Sequence, residues 1–280
     1  MKRIGTVVAV LGMCVWSLGQ DKPAAQAAPT GQAAAQPQGK RPPKVNSTEE
    51  YNAYKAAMGI TDGPGAEKAA NDFVAKYPAS ELKPLVYKNA MQRYPLGDKV
   101  IELANKILAT DPDDPDALVS IAQVDSELTK EADLDKDQRF EEAKKSAERA
   151  LVTVDTDLPA GSFTPEQISN YQKYIRSQAY FSLGTVAFKS SKWPDAETNL
   201  RKAIETAPGP PDVVGVYRLA LSLDFQNKIP EAIKACQQAV DLTKDAPDSA
   251  AGKAARQELD RLMKYAPGTT PGQGAAAPKN

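Results

Sequence analysis

Histidine is missing from all 280 residues. Its absence removes the side chain that changes charge nearest neutral pH, and with it the commonest metal ligand. Any acid–base step would fall to a strongly tuned Glu, Lys or Cys. Cysteine is scarce as well, with only Cys14 and Cys236. Neither sign of charge is in excess, since 35 basic residues stand against 36 acidic ones. That balance, without any basic patch interleaved with aromatics, excludes the footprint of a nucleic-acid-binding protein. Neither a Gly-rich phosphate loop nor a nucleophile-elbow Ser is found. The sequence therefore implies no cofactor, no metal and no catalytic constellation, and its function has to be sought in surfaces.

Residues 1–19 read as a secretory signal. Lys2 and Arg3 form a basic start, Ile4 to Val15 is an apolar run, and Ser17-Leu18-Gly19 offers small residues for cleavage before Gln20, with Ala25-Gln26-Ala27 as a second cut. The run is too short for the roughly 20 residues of a membrane span. Export to the periplasm or cell envelope, or secretion, is the expected localisation. Loss of Lys2 and Arg3 leaves 33 basic against 36 acidic residues. Leu11-Gly12-Met13-Cys14 partly resembles a lipobox, with Met13 where Gly or Ala is usual, and membrane contact is expected only if Cys14 is lipidated. If Cys14 is removed, Cys236 stands alone and no internal disulfide can form. Residues 20–45, rich in Ala, Gln and Pro, and residues 266–280 lack periodic apolar positions. They read as disordered segments flanking a folded region over 46–265.

Inside that region small residues recur where two helices would touch. In 183–208 (LGTVAFKSSKWPDAETNLRKAIETAP) they are Gly184, Ala196 and Ala203, closed by Pro208. With Ser177 as position 1, these fall at positions 8, 20, 27 and 32. A frame from Val213 places Leu219, Ala220, Ala232 and Ala239. One from Ser47 places Ala53, Tyr54, Ala66, Phe73 and Pro78, and the next, from Glu81, places Tyr87, Val100, Ala104, Ile107 and Pro112. A fifth starts at Pro115 with Leu118, Ile121 and Ala122. Its second helix, carrying Ala143, Ala147 and Ala150, is displaced by nine extra residues near 130–138. Pro64, Pro194 and Pro230 all land at position 18, where a helix's first turn tolerates a missing N–H. Three in-phase prolines distinguish this pattern from a generic alanine-rich bundle.

The pattern resembles the tetratricopeptide repeat (TPR) family, built from 34-residue helix–turn–helix units. The resemblance implies an all-α, right-handed superhelical solenoid of about five units (47–80, 81–114, 115–157, 177–210, 213–246) with a capping helix over 248–264. Helix-start signals accompany the frames: Ser47 with Glu50 and Thr164 with Gln167 as capping boxes, Asp114 before Pro115, and Asn227 suited to a left-handed helix end. Pro165 to Lys189 predicts an extended first helix in the fourth unit.

Other motifs reduce to structure. Asp133, Asp135 and Asp137 suggest a calcium loop, but its sixth and twelfth positions are Gln138 and Lys144 instead of Gly and Glu. Asp135 and Gln138 are expected to cap the next helix. Cys236 is expected as a small buried hydrophobe.

The resemblance places function on the first helices of the units. Family contact positions map here onto Tyr51 and Lys55, then Asn89, Gln92 and Arg93, then Phe181, Thr185, Phe188 and Lys189, and finally Tyr217, Asp224 and Phe225. Rings among Lys, Arg and Asn suit a protein segment, the rings as anchors and the polar groups setting register. Several of these rings can equally be core. The carboxylate clamp of chaperone-binding members is matched only in isolation, by Asn89 and Arg218. The expected function is a non-catalytic scaffold or adaptor with a protein or peptide partner. Self-association as a homo-oligomer is the main alternative, and an enzyme on a repeat scaffold a third.

Overall fold

The computed structural model describes residues 41–158 and 163–264. The expected leader, most of the expected linker and the C-terminal tail lie outside the described residues. Eleven helices and no strand occur among the described residues: α1 (Thr48–Met58), α2 (Gly63–Lys76), α3 (Lys83–Met91), α4 (Asp98–Leu108), α5 (Pro115–Leu128), α6 (Lys136–Thr153), α7 (Pro165–Lys189), α8 (Trp193–Thr206), α9 (Val213–Phe225), α10 (Ile229–Leu242) and α11 (Ala250–Lys264). Of the described helices, none is long and apolar enough to cross a membrane.

Short polar side chains start the helices. Asp62, Asp114 and Asp212 accept the backbone N–H of Gly65, Ala117 and Gly215 at 2.7, 2.9 and 3.0 Å. Prolines occupy the first turns of α2, α3, α5, α7, α8 and α10. Thr164 and Gln167 close both arms of their capping box, at 3.2 and 2.8 Å. The Ser47 box closes only one arm, because the Glu50 carboxylate takes the N–H of Asn46 at 2.6 Å instead of that of Ser47. Asp135 makes no side-chain cap bond to α6. Asp133 is the carboxylate that works in this loop, accepting from the Lys130 N–H at 2.7 Å. Just before α1, Arg41 forks onto Glu81 with two 2.8 Å bonds, and the Lys44 N–H joins it at 2.7 Å. Those bonds fasten residues 41–44, which the composition assigns to a disordered linker.

The turns α7–α8 and α9–α10 have the same geometry. Ser191 and Asn227 have φ of 56° and 59°, and the following N–H groups of Lys192 and Lys228 reach back to Ala187 and Leu223 at 2.9 Å. Each is the left-handed helix end that satisfies orphan carbonyls. Asn227 is legible for this role, whereas Ser191 is an uncommon choice for positive φ.

Consecutive helices pack as antiparallel neighbours, and the first helix of a pair also meets the first helix of a following pair: α1 on α3, α5 on α7, α7 on α9, and α9 on α11. The second helices do not pack backbone against backbone in this way and meet through side chains, as Glu67 of α2 meets Lys99 of α4 at 3.1 Å and Arg201 of α8 meets Glu231 of α10 at 2.8 Å. The first helices therefore form the inner layer of a bent stack, and the second helices splay on its outer side. A cleft between α6 and α8, floored by Val186 and rimmed by Phe140, Lys144, Lys192 and Asn199, is the gap that this splaying leaves.

The core is thin and made largely of alanine. Ala196, Leu200, Ala220, Ala232, Cys236 and Leu262 join one cluster, and Ala147, Ala150, Ile175 and Ala179 join another. Small side chains let helix backbones approach closely. Gly184 marks the tightest approach, since a Cβ there would sit 2.7 Å from Leu200 Cγ and 3.2 Å from the Leu200 backbone nitrogen. The Cys236 thiol is fully buried and pushed up to about 12 by burial, so it is packing and not chemistry. Gly184→Ala is expected to destabilise the chain by about 1–3 kcal/mol through overpacking, despite the better helix propensity of Ala. Gly209, with open space around it, is the matched control, and urea unfolding reads the difference.

Candidate functional site

The inner layer is where side chains from several helices converge, and α5 lies at its centre. Glu127 sits in the last turn of α5. Phe181, Thr185 and Lys189 lie four apart on α7 and so share one face. Arg218 projects from α9. Its guanidinium grips both oxygens of Glu127, with Nη2 to Oε2 at 3.0 Å and Nη1 closing on Oε1. The Thr185 hydroxyl lies between them, donating to Glu127 at 3.2 Å and accepting from Arg218 at 2.8 Å. Phe181 supplies a ring 5.5 Å beneath the guanidinium. Lys189 donates to the main-chain carbonyls of Glu127 and Thr129, at 2.7 and 2.9 Å, and so caps the C-terminal end of α5. Burial pushes the Glu127 carboxyl up, but the hydrogen bond and charge of Arg218, with Lys189 and Thr185, leave it below its ordinary value. Burial holds the Lys189 ammonium below its own.

The other end of α5 carries a second network. Lys88 of α3 lies 2.7 Å from both Asp114 and Asp116. Tyr171 of α7 donates its hydroxyl to Asp116 at 3.2 Å. Burial disfavours the Lys88 ammonium, yet Asp116 and Asp114 outweigh it and raise its pKa. Burial first, then the same two carboxylates, raise that of Tyr171. Toward the C-terminus, Arg261 of α11 pairs with Asp224 of α9 and with Glu258.

The contact positions read from the sequence divide into two groups. Asn89 is buried, with its amide on the Ala57 carbonyl at 3.3 Å, and Thr185 is fully buried. Lys189 and Asp224 are taken up by the bonds above, and Phe181 and Tyr217 are half-buried. These residues shape the face without being available on it. Tyr51, Lys55, Gln92, Arg93 and Phe225 are exposed. Tyr51 stacks on Tyr54 with Lys55 4.7 Å above its ring, and Arg93 bonds Asn89 at 3.2 Å. Phe225 stacks on Trp193 at 4.2 Å, and Trp193 meets Phe188 edge-on at 5.5 Å. Asn89 and Arg218, the two isolated clamp matches, serve separate structural bonds. Sequence reasoning missed Glu127, Lys88, Asp116, Tyr171 and the exposed Tyr174. The partners of the first four lie 28 to 91 residues away, and no local spacing signals such pairings. Among the described residues no group of three His, Cys, Asp or Glu is placed to hold a metal ion.

Fold and site together define an all-helical repeat protein with a polar-laced inner face. No family model matches the chain, and no curated protein sequence matches it. Among solved structures it is similar to one titled "Assembly Chaperone of RpL4 (Acl4)", at 14% identity and a TM-score of 0.40, covering 80% of this chain and 100% of that one.

Because the folded-state pKa of Glu127 is depressed, the pair adds stability above the ordinary carboxylate value and loses it as pH falls through the folded value. Removing one partner of a buried pair costs about 3–5 kcal/mol; partial exposure here reduces the expectation for Arg218→Met to about 1–3 kcal/mol at pH 7. The gap between wild type and Arg218→Met in urea unfolding should narrow as pH drops below about 4.5, the unshifted carboxyl value. A gap independent of pH would contradict this assignment.

Proposed function

We propose that this protein is a non-catalytic interaction scaffold of the TPR type that binds a segment of a partner protein along its inner face. The observation that carries the reading is the inner layer itself. Exposed rings at Tyr51, Tyr174 and Phe225 stand at 40, 45 and 46% exposure, with Lys55 on α1 and Gln92 and Arg93 just after α3 also exposed. Beneath them the polar side chains are already paired, so the face is pre-organised and little ordering cost remains for binding. Aromatic anchors beside polar side chains match recognition of an extended or helical segment. The signal-like pattern of residues 1–19 supports placing this scaffold in the cell envelope.

Affinity capture from an envelope extract of the source organism tests the reading, using wild type beside Tyr51→Ala/Arg93→Ala/Phe225→Ala. All three positions are exposed, so the fold should survive. A protein retained by wild type and lost with the variant is the expected outcome. Equal retention on both would place the contact elsewhere, and recovery of the bait alone would favour self-association.

A further inference from the structure

Repeats in a helical stack normally touch only their neighbours, so their stability is a sum of nearest-neighbour terms. The Glu127–Arg218 pair departs from that rule. Glu127 belongs to the third helix pair (α5–α6) and Arg218 to the fifth (α9–α10), 91 residues apart. The bond passes across the fourth pair, with the Thr185 hydroxyl of α7 as spacer.

We propose that Glu127 and Arg218 form a strap that ties α5 to α9 across α7 and sets the width of the inner groove in the C-terminal half. Three features suit the pair to that work. A bidentate guanidinium–carboxylate contact fixes direction as well as distance. The two side chains are only 14% and 24% exposed, so salt screens them less than a surface pair. Lys189 independently ties α7 to the end of α5, so loss of the strap frees α9 while α5 and α7 stay joined. Curvature over two successive units thus depends on one ion pair as well as on packing at each interface. The strap is a property of the stack and stands whatever partner the inner face takes.

Spin-label distances on the full chain, in a Cys14→Ala/Cys236→Ala background, test it without any partner. One label pair at Lys130→Cys and Lys234→Cys spans the loop just after α5 to α10, which packs on α9. A second at Lys130→Cys and Thr198→Cys spans the same loop to α8, which packs on α7. Arg218→Met should shift and broaden the first distance distribution toward longer values and leave the second unchanged. Glu127→Gln, which keeps the shape but not the charge, should move the first in the same direction by less, and decides the matter if Arg218→Met fails to fold. An unchanged first distribution, or equal broadening of both, would overturn the strap.

Discussion

The inner layer depends on α5 being fastened at both ends. At its start, Asp114 and Asp116 hold Lys88 of α3 and Tyr171 of α7. At its end, Glu127 holds Arg218 of α9, and its last carbonyls take the Lys189 ammonium. Three other first helices, α3, α7 and α9, are thereby registered on α5. Each of these groups would be costly to bury alone. Together they satisfy one another, and breaking any one leaves a partner uncompensated. Packing supplies most of the cohesion, but these networks decide how the helices are set relative to one another.

Small residues make that arrangement reachable. Alanines and Gly184 bring the helices of a pair close enough for polar side chains on the first helices to reach beyond the nearest neighbour. Among the outer helices, ion pairs join α2 to α4 and α8 to α10, whereas α6 and α8 spread and leave the cleft between them. The same geometry separates two roles on the inner face. Buried polar groups set its shape, whereas the rings of Tyr51, Tyr174 and Phe225 stay exposed along it.

The helical repeat was legible because periodicity, small-residue spacing and first-turn prolines are local signals. Asp114, Thr164 and Asn227 act at helix ends as their types suggest, since capping depends on residues two to four positions away. Where the reading departed from the structure, competing bonds were the cause. Glu50 found Asn46, and the loop before α6 is tied by Asp133 on the Lys130 N–H, while Asp135 makes no side-chain cap bond. On the inner face, mapping by position points to the first helices of the pairs but does not separate surface from support. Thr185 and Asn89 sit at contact positions, yet Glu127 and the Ala57 carbonyl claim them. Glu127 itself carries no sequence signal, being an ordinary acidic residue near a helix end whose partner lies on the fourth helix after its own.

Native-state hydrogen exchange on the full chain, resolved helix by helix, tests the keystone role of α5 most directly, because local opening energies rank segments by how firmly they are held. The account predicts that α5 and the stretch of α7 around Tyr171 to Lys189 exchange among the slowest, well behind α1 and α11. Exchange of α5 as early as those terminal helices would contradict it.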